Sequence, residues 1–86
     1  MIAAGELNVF GALSIRSLEI VAGTLSGATV TTEVPATVSA RSARAHATTF
    51  TTDIEVQNAS HLTGTGGLTL VDADIRLNAN GNASFL

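Results

Sequence analysis

The side chains able to do chemistry in this 86-residue chain are few: seven carboxylates, four arginines and two histidines, with no cysteine, lysine, tyrosine or tryptophan. Asp72 and Asp74 stand two apart, which places both carboxylates on one face of an extended strand, where they could hold a divalent cation. Two carboxylates fall well short of the about six oxygens that calcium takes. Arg76, two residues further on, neutralises part of the charge, so a solvated face is expected. Asp53 and Glu55 form a second outward pair with the same expectation. His46 and His61 are far apart and not arranged as His-x-His, so a metal held by the protein is not expected. Ser42, His46 and Asp53 supply the residue types of a hydrolytic triad but lack any nucleophile-elbow context. No P-loop, dinucleotide fingerprint or zinc-ligand spacing is present. The expectation is a chain with no catalytic, cofactor-binding or metal-binding residues, and not an enzyme.

What must otherwise explain the chain is its scaffold. Its length fits a single domain over residues 1–86, with a core that is marginal unless reinforced. The absence of cysteine removes disulfides and thiolate metal sites as reinforcement, leaving partner copies. Apolar residues make up 45% of the chain, but aromatic residues only 3%, from Phe10, Phe50 and Phe85. A core of small aliphatic residues suits a narrow shared interior better than a monomeric sandwich built around a large aromatic anchor. The net charge of -3 and the scatter of Arg16, Arg41, Arg44 and Arg76 provide no basic face for nucleic acid. No run approaches the roughly 18 apolar residues of a membrane span, and residues 1–7 do not read as a signal peptide. The sequons at Asn58 and Asn82 are accordingly expected to be coincidental.

Hydrophobic alternation is the dominant pattern. Leu7, Val9, Leu13 and Ile15 alternate with Glu6, Asn8, Ser14 and Arg16, a period of two that marks a strand. Gly5 and Gly11 punctuate this run at a spacing of six, and parity flips at Ser17 before Leu18, Ile20 and Ala22. Residues 23–27 read as a turn around Leu25. An apolar face over Val30, Thr32, Val34, Ala36, Val38 and Ala40 follows, with Pro35 on the polar side. Residues 41–47 are expected to be loop or strand rather than helix. Phe50, Thr52, Ile54 and Val56 point inward; Gly64, Gly66 and Gly67 mark a turn; Ala73, Ile75, Leu77, Ala79, Ala83 and Phe85 resume the apolar side. No stretch supports a long amphipathic helix.

The fold expected is all-β, with short strands and glycine turns. Three architectures accommodate it: a monomeric β-sandwich or small barrel, a single-chain β-helix with six-residue rungs, and an intertwined homo-oligomer. The six-residue spacing covers residues 5–20 and then degenerates, which ranks the single-chain solenoid below the others. The preferred reading is an intertwined homotrimeric β-helix, β-prism or barrel, with the monomeric β-sandwich as alternative.

The run Gly5-Glu6-Leu7-Asn8-Val9-Phe10-Gly11-Ala12-Leu13-Ser14-Ile15, with the Thr-, Ala- and Asn-rich remainder, resembles small bacteriophage capsid-decoration, fibre and spike proteins. The resemblance is one of composition and carries over no functional residue. It implies a virion structural protein assembled in the host cytoplasm, a homotrimer that decorates or cements a capsid by contact with a virion protein, without nucleic acid, membrane or cofactor. A tail fibre or spike module is the alternative. The same Gly-x-Leu-x-Val-x-Gly run also resembles bactofilin-like β-helical filament scaffolds, and a ligand-binding β-sandwich is a further alternative. Far-UV circular dichroism is expected to show β structure with little helix; a strong helical double minimum would refute the strand reading.

Overall fold

In the computed structural model, which describes residues 2–3 and 5–85 and at Phe10 the backbone alone, eleven strands and no helix make up the regular structure. Met1, Ala4 and Leu86 lie outside the described residues. Every strand pairing is parallel. Parallel neighbours cannot be joined by a tight hairpin, so the chain must travel around before returning beside itself. Here it does so by winding, and the result is a β-solenoid of about four turns.

Each coil visits three faces in the same order. The first face stacks Glu6–Ile15 (β1, its N-terminal half), Gly23–Thr32 (β3, likewise), Ala43–His46 (β5), His61–Thr65 (β8) and Asn82–Phe85 (β11). The second stacks the C-terminal halves of β1 and β3 on Thr49–Phe50 (β6) and Thr69–Leu70 (β9). The third stacks Ile2, bridged to Ile20, with Glu19–Ile20 (β2), Ala36–Val38 (β4), Ile54–Val56 (β7) and Ile75–Leu77 (β10). Gly23 lies opposite Ala43, Ala43 opposite Leu62 and Leu62 opposite Ala83, so successive partners are 20, 19 and 21 residues apart.

Alternation makes these strands, and the winding gives it a purpose: inward residues of successive coils lie over one another. Leu13, Val30, Phe50 and Leu70 form one interior column. Ile20, Val38, Val56 and Leu77 form another. Leu25, Val30, Val38, Phe50, Ile54, Val56 and Leu62 are each at most 1% exposed. The coil with two small inward residues, Ala43 and Ala45, also carries the bulkiest, Phe50. Such compensation lets unequal side chains fill one narrow interior. The buried hydroxyl of Thr48 donates to the His46 carbonyl at 2.9 Å, so its burial leaves no orphaned group.

Several expectations change in this light. The solenoid closes within one chain, although the sequence ranked that architecture below an intertwined oligomer. Its period is a whole coil of about 20 residues, not a six-residue rung, which is why the glycine spacing fades without the fold doing so. Leu25 is not the tip of a turn over residues 23–27; it is buried in the middle of β3. Val34 does not share the inward face of Val30 and Val38, because the chain bends between β3 and β4 and leaves it 49% exposed. Phe50 and Ile54 are both interior, but on different faces separated by a corner. Gly64 lies inside β8, and only Gly66 and Gly67 make the turn. Residues 43–46 are strand, as the sequence allowed.

Gly27, Ala47 and Gly66 follow equivalent residues of three successive coils, and each adopts positive φ: 77°, 49° and 65°. The corner between the first and second faces therefore requires a left-handed residue, a conformation that costs about 1–3 kcal/mol for a residue other than glycine.

Ile54 and Glu55 test the face assignment. Ile54→Asp is expected to cost on the order of 3–5 kcal/mol by burying an unpaired carboxylate. Glu55→Lys, half-exposed on the outer side, should cost less than about 1 kcal/mol. Equal denaturant midpoints for the two variants would refute the register across β7.

Candidate functional site

The residues picked out by chemistry are distributed over the outside of the solenoid rather than gathered. His46, at the end of β5, shares a 2.8 Å hydrogen bond between Nδ1 and the Thr65 hydroxyl of the next coil. His61, at the start of β8, shares one of 3.0 Å between Nε2 and the Ser84 hydroxyl. Each imidazole thus bridges adjacent coils on the first face. Ser42 precedes β5 at one corner, whereas Asp53 sits at another, between β6 and β7. Ser42, His46 and Asp53 are therefore not assembled into a triad.

The acidic pair also differs from its sequence reading. Asp72 and Asp74 do not share a strand face: Asp72 occupies a corner with φ of 53°, and β10 begins only at Ile75. Asp53 Oδ1 accepts a hydrogen bond from the Asp74 backbone N–H at 3.0 Å. Arg76 pairs with Asp53 Oδ2 at 3.4 Å, not with the aspartates of its own segment. Coil stacking, which brings residues about 20 apart side by side, decides this partner. Among the described residues, no group of three or more His, Asp or Glu side chains is placed to hold a metal ion.

Charges do concentrate along one edge. The corner between the second and third faces carries Arg16, Glu33, Asp53, Asp72 and Asp74 in successive coils. Two shallow clefts flank it: one of about 370 Å³ beside Ile15, Arg16 and Glu33, the other of about 280 Å³ beside Pro35, Asp53 and Asp72. The Arg16–Glu33 pair lies at 4.0 Å with both side chains largely in water, so it contributes little to stability.

The features that composition and motifs did not reveal are the two ends. Leu77 and Phe85, on the last described coil, are 53% and 56% exposed. At the other end Leu7 is 38% and Val21 37% exposed, while Val9, Leu13 and Ile15 are only partly covered. Leu7, Leu13 and Leu77 belong to the interior columns, and among the described residues each has a paired coil on one side. The alternation puts Leu7, Leu13, Leu77 and Phe85 on apolar faces, but no local pattern says that those faces are left uncovered.

Taken together, the fold defines a parallel β-solenoid of about four turns. Compared with protein-family models, with curated proteins and with solved structures, the chain matches none.

Replacing both aspartates, Asp72→Asn with Asp74→Asn, is expected to change stability by less than about 1 kcal/mol, as for other exposed positions. Thermal melts with and without calcium provide the check. A calcium-dependent rise in Tm that is present in the parent and lost in the variant would establish a cation site at this corner.

Proposed function

We propose that this is a structural, non-enzymatic protein that works by self-association through the ends of its solenoid. The observation that carries this reading is the exposed apolar side chains on the first and last described coils. Repeat architectures need polar terminal coils to stay separate in water. These ends instead present large aliphatic and aromatic side chains together with the unpaired edges of β1, β9, β10 and β11. Such edges are templates for further parallel pairing.

The reading modifies how copies would meet. An intertwined trimer shares one interior, whereas the middle coils of this solenoid bury Ile54 and Val56 to at most 1% exposure with one chain alone. Association by the ends needs no shared core. Two settings use such a module: the virion decoration or fibre role implied by the compositional resemblance, and a filament scaffold of the bactofilin-like kind. A solenoid wound within one chain favours the scaffold.

Light scattering coupled to size exclusion over a range of concentrations tests this proposal. Masses above 8.7 kDa that rise with concentration are expected. They should fall back to monomer in the Leu77→Lys, Phe85→Lys double variant, whose changes lie on exposed side chains. A sharp monomer throughout the micromolar range would overturn the reading.

A further inference from the structure

The outer side of the second face differs from the other two. Its outward positions, coil by coil, are Ala12 and Ser14, Thr29 and Thr31, Thr49 and Thr51, then Thr69 and Val71. None is charged. The first face, by contrast, carries Glu6, Arg44 and both histidines, and the third carries Glu19, Glu55 and Arg76. Arg16, Glu33, Asp53 and Asp72 stand at the corner beside the second face, not on it. Ala12, Ser14, Thr29, Thr31, Thr69 and Val71 are exposed, and Thr49 and Thr51 are half-exposed.

The backbone ladder turns these side chains into a grid. Register pairs Ala12 with Thr29 and Thr29 with Thr49, and then Thr49 with Thr69. Ser14 pairs with Thr31, and the Thr31 and Thr51 hydroxyls lie 2.6 Å apart. Neighbouring coils are spaced by about 4.8 Å, and alternate residues along a strand by about 6.6 Å. The coil spacing lies close to the shorter oxygen repeat on the prism faces of hexagonal ice. The grid is stiff: Val30 and Phe50, the residues between the threonines, are buried anchors at most 1% exposed, and β-branched threonine has few χ1 states. Thr51 is further held by donation from its hydroxyl to the Val30 carbonyl at 3.1 Å.

We propose that this face binds ordered water, and specifically the surface of ice. A protein ligand would be recognised by charge or by aromatic anchors, and this face has neither. Repeated methyl groups with hydroxyls on a rigid two-dimensional lattice match a surface that is itself a lattice of hydrogen-bonding oxygens. Methyl groups would shed loosely held water, and the Thr29 and Thr49 hydroxyls would replace lattice contacts, while those of Thr31 and Thr51 bond to each other. This inference stands apart from self-association, since it uses a side of the solenoid and not its ends.

Ice crystals grown in dilute protein on a nanolitre osmometer, together with a recrystallisation assay, test the proposal. The parent is expected to facet growing crystals and to keep recrystallising grains small. Thr29→Lys and Thr49→Lys, each placing a hydrated charge in the grid, should abolish both effects. Thr37→Lys, between Glu19 and Glu55 on the third face, should leave them intact. Circular dichroism melts restrict the comparison to variants that fold like the parent, and Thr29→Val, which preserves the branched shape, serves if a lysine variant does not fold: retained faceting is expected for it. Round, unfaceted crystals with the parent would overturn the proposal. So would equal loss of activity in the Thr37 control and the grid variants.

Discussion

The parallel hydrogen-bond ladder between successive coils obliges each inward residue to sit over its counterpart one coil earlier. Volume, polarity and backbone conformation are then judged column by column. Gly64 shows how tightly: a Cβ there would come within 2.9 Å of Leu68 Cβ and of Phe85 Cδ1. The missing side chain is what admits Leu68 of the same coil and Phe85 of the next. Polar columns obey the same rule with different chemistry. Asn78 donates to Gln57 at 3.1 Å across one coil step, and the Thr32 and Thr52 hydroxyls meet at 2.9 Å across another. Such contacts join residues remote in sequence, so the first coil to form has little to hold it until a second is laid beside it.

Much of this was legible in the chain. The alternation around Leu13 and Ile15, and again around Ile54 and Val56, reports strands because an inward–outward period of two survives at any depth of burial. Strand identity in residues 43–46 was legible for the same reason, in spite of their alanine content. The winding was not. A coil repeat would have been visible if corners were equal in length, but the connection from the third face to the first takes two residues after Ile20 and four after Val38. These offsets scramble any fixed period while leaving the stacking intact. Leu25 was misplaced because its flanking glycines, Gly23 and Gly27, resemble hairpin punctuation; both have positive φ, yet they bend a strand that continues.

The surface was less legible than the core. Asp53 and Arg76 are 23 residues apart, and nothing local to either announces the other as partner. The same holds for the threonine grid: Thr29, Thr49 and Thr69 are unremarkable one at a time and become a row only when the register is known. Chemistry that depends on long-range neighbours is hidden from motif reading, because a motif is a local pattern.

The corners carry a consequence for how the chain can change. Those leading out of the third face vary in length and contain left-handed residues such as Ala59 and Asn80, with φ of 59° and 60°. The strands on either side are paired to other coils, not to each other, so the corner does not set their register. A foreign peptide grafted there, beside the exposed Asn58 or Asn80, would loop outward while the ladders on both flanks stay in place. The solenoid is in that sense a rack: several display positions, one above another, at a pitch set by the backbone.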